Sequence, residues 1–221
     1  LGKVFQPEVY RKLFANKQNT HEEEIDNYIF PFFYFSILVA LLVILFSQEF
    51  VYIIFPNEYS SAALIIIILS LYYAALFFGK ITGNQLIYAK KTHLTSLLML
   101  VGIIINAAFN IPFILKWGMI GAAWATTIAG ILMGFIGYFV AQRYAKIIWQ
   151  WKKFWMIYLV LLLGAVFNLI DYGDLLPTSY YSTLIINLLI LFIYIVIGFK
   201  LNILNEFKIG KFIQLVKMRN F

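Results

Sequence analysis

The chain has 221 residues, 63% of them hydrophobic and only 12% charged, with a net charge of +7 and a mean hydropathy of +0.87. Soluble domains carry about 25% charged residues, so half that share places most of this chain in lipid. The cations cluster between apolar stretches, which reads as membrane topology and not as a nucleic-acid surface. Cysteine is absent and the two histidines, His21 and His93, lie in polar flanks; a disulfide framework, a thiolate metal site and a His-rich metal site are excluded.

Residues 1–27 form a charged lead-in, expected to be a cytoplasmic connection into the first helix. Lys3, Arg11, Lys12 and Lys17 stand beside Glu22, Glu23, Glu24 and Asp26. Thr20 followed by Glu23 is a capping-box pattern, and acidic residues suit the first turn of a helix; a solvated acidic loop is the other reading. The chain opens on Leu1 with LGKVF and no signal-peptide pattern, and is expected to be a portion of a longer protein.

Six apolar stretches approach the roughly 20 residues a helix needs to cross the hydrocarbon core. They are Tyr28–Ser47, Ala62–Gly79 (extendable to Ala89), Leu94–Leu115, Met119–Gln142, Phe154–Ile170 and Tyr181–Phe199. None alternates with period two as a membrane β-strand would. The sequence therefore predicts an all-α integral membrane fold with six transmembrane helices. Pro31, inside the first stretch, is expected to bend it.

The connections alternate in charge. Glu49 and Glu58 follow the first span; Lys90, Lys91 and His93 the second; only Lys116 the third. Arg143, Lys146, Lys152 and Lys153 follow the fourth, and Asp171 and Asp174 the fifth. Lys200, Lys208, Lys211, Lys217 and Arg219 close the chain. The positive-inside rule then puts both termini of the chain in the cytoplasm. The tail, 200–221, aligns Ile203, Leu204, Phe207, Phe212, Ile213 and Val216 on one face beside lysines. It reads as a basic amphipathic helix lying on anionic membrane lipid.

Nothing points to an enzyme or a cofactor. HExxH, GxSxG and Walker patterns are missing, and no acid pair lies within a span. Polar residues inside spans are then the informative ones, because lipid penalises them unless they face protein or water. Lys80 leads, about 13 Å from the inner end of a helix running to Ala89. Tyr73, Phe77, Lys80, Asn84 and Tyr88 recur at helical spacing on one face, a combination suited to an anionic, sugar-bearing ligand. Alternatively, Gly79 ends the span and Lys80 snorkels to the headgroups. Asn106 and Asn110 stand one turn apart, as ligand groups or as interhelical packing contacts. Ala123, Thr127, Gly130, Gly134, Gly137 and Ala141 form a continuous stripe of small residues, expected to let another helix approach closely. Leucine at either Gly130 or Gly134 is expected to disturb that approach.

The order VFQPEVYRKLFA, VYIIFPNEYSSA, GNQLIYAKKTH and NAAFNIPFILKWGMIGAAWATT resembles the polysaccharide-biosynthesis flippases of the Wzx type. They share a superfamily with the MATE drug exporters and the lipid II flippases. Gly118, Gly121, Ala122 and Ala123 match the Gly-x-x-Gly-Ala-Ala start of a helix in that family. The resemblance covers residues 1–142, with 28–142 as four helices of a C-terminal lobe. Residues 143–199 add two further spans, as in fourteen-helix members. It implies that the chain holds the last six helices and that an N-terminal lobe of the same protein completes the transporter. It also implies alternating access that moves an undecaprenyl-pyrophosphate-linked oligosaccharide across the bacterial inner membrane for O-antigen or other surface polysaccharide. Lys80, Asn84, Tyr73, Asn106 and Asn110 are the positions expected to meet that substrate. A MATE-type drug or cation antiporter and a non-transporting membrane scaffold are the competing readings.

Overall fold

The computed structural model describes residues 29–173 and 179–203. The Thr20 capping pattern, most of the amphipathic tail and Asp174 fall outside them. The described residues are mostly helical, with no strand among them. In order they form α1 (Phe30–Leu45), α2 (Ser47–Ile54), a 3₁₀ turn at Asn57–Tyr59, α3 (Ala62–Tyr88), α4 (Thr92–Tyr144), α5 (Trp151–Tyr172) and α6 (Tyr180–Lys200). Four of these, α3 to α6, are long and apolar enough to cross a membrane. Bent pair α1–α2 makes a fifth if it counts as one span. The chain is thus compatible with a multi-pass membrane protein.

The first span differs from expectation in where it bends. Pro31 sits in the first turn of α1, where a missing N–H leaves no intrahelical bond unmade. The bend comes at Phe46 (φ −113°, ψ 23°), and α2 leaves at 65° to α1. Glu49, expected in a connection, is therefore helical. The break leaves the Leu45 carbonyl without its next-turn partner, and the Asn187 side-chain amide of α6 donates to it at 2.7 Å. A polar residue in an apolar helix here repairs a defect in another helix.

Gly118 explains how α4 can hold 53 residues, which as a straight rod would measure about 80 Å. At Gly118 the backbone takes φ 58° and ψ −134°, a conformation essentially confined to glycine. On either side of it, residues 92–117 (α4a) and 119–144 (α4b) lie against each other. A Cβ built on Gly102 would stand 3.4 Å from Met133 Cγ, although 31 helical residues span about 46 Å. A Cβ on Gly121 would collide with the Phe113 carbonyl. Such contacts require the arms to run antiparallel. The expected pair of helices is present, but its connection has shrunk to one residue, and Lys116 is helical.

α1 is the centre of the fold and packs on α3, α5 and α6, while the α4 hairpin packs on α3. Phe33, Ile37, Leu41 and Ile44 of α1 are completely buried. An aromatic cluster closes one end, where the Phe33 and Phe154 rings lie 4.3 Å apart and those of Phe30 and Phe154 4.7 Å apart. The same end receives residues 145–150, held from both sides. Gln85 Nε2 donates to the Ala145 carbonyl at 2.7 Å, and Gln142 exchanges two bonds of 2.8 Å with the Ile147 backbone. On the other side of the core, Tyr34 and Tyr194 stack at 4.7 Å. Each hydroxyl donates to the other's carbonyl, at 3.2 and 2.7 Å. Gly198 leaves the space that the Tyr34 ring fills. These bonds tie α6 to α1 without exposing a polar group to lipid.

Candidate functional site

The small-residue stripe meets α3 at Thr127, Gly130 and Gly137. Thr127 Oγ1 donates to the Ile68 carbonyl across the gap at 3.0 Å and lies 2.9 Å from the Ala123 carbonyl of its own helix. Ala123, Thr127, Gly137 and Ala141 are buried. The two glycines between them differ. A Cβ on Gly130 would run into the Tyr72 ring, whereas one on Gly134 would meet nothing within 4 Å. Gly130→Leu is accordingly expected to lower the melting temperature in detergent, by the overpacking cost of about 1–3 kcal/mol. Gly134→Leu is expected to melt like the parent, and an equal loss from both would contradict this assignment.

Where the stripe opens, a cleft of about 670 Å³ lies between α3 and both arms of α4. Tyr72, Thr82 and Gly83 of α3, Thr95, Gly102 and Asn106 of α4a, and Thr126, Gly130 and Gly134 of α4b line it. Its floor is glycine, and its polar groups are hydroxyls and one amide, with no charged side chain. Thr95 Oγ1 is buried there without a hydrogen-bond partner. Asn106 reaches this cleft, while Asn110 donates to Asn106 Oδ1 at 2.7 Å along the same helix. The pair is bonded within its own helix and not across helices.

Lys80 and Tyr73 are elsewhere. Both are exposed, and neither lines the cleft. Phe77, expected on their face, turns into the core and packs against Phe33 at 5.2 Å. Asn84 is half-buried and Tyr88 exposed. α3 runs through Gly79 without a break to Tyr88, so Lys80 is inside a continuous helix. The structure therefore divides the expected substrate residues between two places: Asn106 in the cleft, Lys80 and Tyr73 on an uncovered face.

A second cleft, of about 840 Å³, opens at the bend between α1 and α2. Glu49 and Tyr52 of α2, Asn168 and Asp171 of α5, and Thr183 and Asn187 of α6 line it. Thr183 Oγ1 donates to Asp171 Oδ1 at 3.2 Å. Asn168 and Asn187 join side chain to side chain at 3.0 Å, and Asn168 also donates to the Gly164 carbonyl at 2.9 Å. Sequence reasoning passed over both asparagines, although each is an amide within an apolar span, the same signal that marks Asn106. It also passed over Gln85, which is completely buried and leaves Oε1 without a partner.

These features define a class: an all-helical protein whose long apolar helices suit a multi-pass membrane protein, with polar clefts between them. Comparison with protein-family models, with curated proteins and with solved structures finds no match.

Proposed function

We propose that the chain is the C-terminal portion of a Wzx-type flippase, which moves a lipid-linked oligosaccharide across the bacterial inner membrane by alternating access. The α4 hairpin supports this reading, because two arms in antiparallel contact bring the crossings to six when α1–α2 is one bent span. Both termini of the chain then lie in the cytoplasm. The observation that carries the reading is Lys80. An exposed lysine well inside an apolar helix costs about 2.5–3.5 kcal/mol at the bilayer centre. It is retained at lower cost on a wall facing water or another part of the protein. On such a wall it attracts the substrate pyrophosphate more strongly than it would in bulk water, since the effective dielectric is lower. Exposed Tyr73 supplies a flat aromatic face on the same helix for sugar, and Asn106 an amide within the lobe.

The test is surface-polysaccharide display by cells whose own flippase gene is deleted and which carry the complete protein. Lys80→Ala should abolish or severely reduce display at equal membrane abundance. Lys80→Arg should retain part of it, because guanidinium keeps the charge with a different geometry. Parental display from Lys80→Ala would show that the side chain only reaches for the headgroups, and would remove the reading's main support.

One observation favours a second reading. Glu49 and Asp171 line the same cleft, and two carboxylates in one cleft suit a cation antiporter of the MATE type. Cation efflux that fails in Glu49→Gln and Asp171→Asn but survives Lys80→Ala would favour it over the flippase.

A further inference from the structure

A third cavity, separate from both clefts' polar groups, lies where α3, α4b and α5 diverge. It measures about 280 Å³. Phe78, Phe135, Tyr138, Trp151, Trp155 and Tyr158 supply its aromatic wall, with Gly134 at its base and Leu162 at its far end. Its surface is almost wholly apolar. Along α5 it extends from the first helical residue, Trp151, to Leu162, about 17 Å. That is close to the depth of one leaflet, half of the roughly 30 Å hydrocarbon core.

Its mouth is basic. Trp151, where the cavity starts, is followed directly by exposed Lys152, and Tyr138 lies little more than one turn before exposed Arg143; exposed Lys146 stands between them. No acidic residue occurs in 59–170, which includes nearly all of the three elements that wall the cavity. A hydrocarbon slot one leaflet deep, with three cations in and beside the segment that joins two of its walls and no carboxylate on those walls, suits the acyl chain of an anionic lipid.

We propose that this cavity binds one acyl chain of an anionic glycerophospholipid, whose phosphate is held by Arg143, Lys146 and Lys152. The lipid is a resident of the leaflet that bathes the 145–150 connection, and is distinct from any transported substrate. The connection that carries Lys146 is fixed by Gln85 and Gln142, and Arg143 and Lys152 stand on the helices at either end of it. The bound lipid therefore wedges between α4b and α5, at the seam between the four helices of 28–142 and the two that follow.

The proposal is tested on the 221-residue chain in nanodiscs, with Trp155 as the sole tryptophan and Trp117, Trp124, Trp149 and Trp151 changed to phenylalanine. Brominated-chain phosphatidylglycerol and brominated-chain phosphatidylcholine are titrated into a phosphatidylcholine background, and quenching of Trp155 is followed. Phosphatidylglycerol should bind at least about tenfold more tightly, since each interfacial cation contributes about a fivefold preference for anionic lipid. Arg143→Gln, Lys146→Gln and Lys152→Gln together should erase the preference while leaving helical circular dichroism unchanged, because all three side chains are exposed. Gly134→Leu should reduce quenching by both lipids by filling the slot. Equal quenching of the parent by the two lipids would overturn the proposal without reference to any variant, and so would a preference that survives the triple substitution. Lys80→Ala should leave the preference untouched, so failure of the flippase reading and failure of this one are separable.

Discussion

Gly121→Ala is expected to be the most damaging glycine-to-alanine change among the described residues. The new methyl group would meet the Phe113 carbonyl, which is backbone and cannot rotate aside. Overpacking in cores commonly costs about 1–3 kcal/mol, occasionally more; a backbone collision three residues after a chain reversal belongs at the upper end or beyond. Gly118→Ala is the instructive comparison. Its Cβ would meet nothing within 4 Å, so its cost comes only from holding alanine at positive φ, about 1–3 kcal/mol. Gly83→Ala, in a helix and likewise without a neighbour, should be harmless. The expected order of melting temperature in detergent is parent and Gly83→Ala highest, then Gly118→Ala, then Gly121→Ala, whose monodisperse yield should also collapse. A Gly121→Ala protein that melts with the parent would mean that the arms do not touch at Phe113, and the hairpin would have to be redrawn.

The hairpin also shows what the sequence can and cannot carry. Two apolar runs separated by Lys116, Trp117 and Gly118 were legible as two helices, because their length exceeds one crossing. That the separation is a single residue was not legible, because lysine and tryptophan read as loop residues while here they are helical. The stripe beginning at Ala123 was visible from spacing alone, since small residues at three- and four-residue intervals fall on one face. Which of its glycines is crowded depends on where the Tyr72 ring lies on α3, and no periodicity encodes that. The bend was misplaced for a related reason. Proline is a strong local signal, but Pro31 falls in a first turn, and the bend belongs to Phe46, where the freed carbonyl of the preceding Leu45 is met by Asn187, 142 positions after Leu45.

The candidate site was less legible still. Tyr73, Lys80 and Phe77 share helical spacing, yet α1 packs on α3 and takes Phe77 into the core, leaving Lys80 and Tyr73 outside it. Asn106 and Asn110 were readable as unusual amides, but their bond to each other is a rotamer choice within one turn. The cleft that Asn106 lines is walled by α3 and both arms of α4, each of which contributes glycine to it, and that arrangement depends on a chain reversal no spacing encodes.

Asn187→Leu is the other substitution with a large expected effect. The parent amide donates to the Leu45 carbonyl at 2.7 Å and accepts from Asn168 at 3.0 Å, in a place where Asn187 is 2% exposed. Leucine removes both bonds and leaves a buried carbonyl bare. Polar contacts between membrane helices average about 0.6 kcal/mol and reach about 1.7, while an orphaned buried acceptor costs about 1–3 kcal/mol. The upper range applies, because the carbonyl at the bend has no neighbouring N–H to turn to. Asn168→Leu should cost less, since Asn187 keeps its bond to Leu45 and the Gly164 carbonyl that Asn168 also meets is in a helix interior. The double variant should then lose less than the sum of the two, the signature of one network. Strict additivity, or an equal loss from each single change, would show that the amides act separately and that the bend holds without them. α2 carries Glu49 and Tyr52 into the same cleft, so loosening the Leu45 contact should also move those side chains. Cross-linking between cysteines placed at Tyr52 and Tyr180 should accordingly become slower in Asn187→Leu than in the parent, tying the repair of one broken helix to the shape of the cleft beside it.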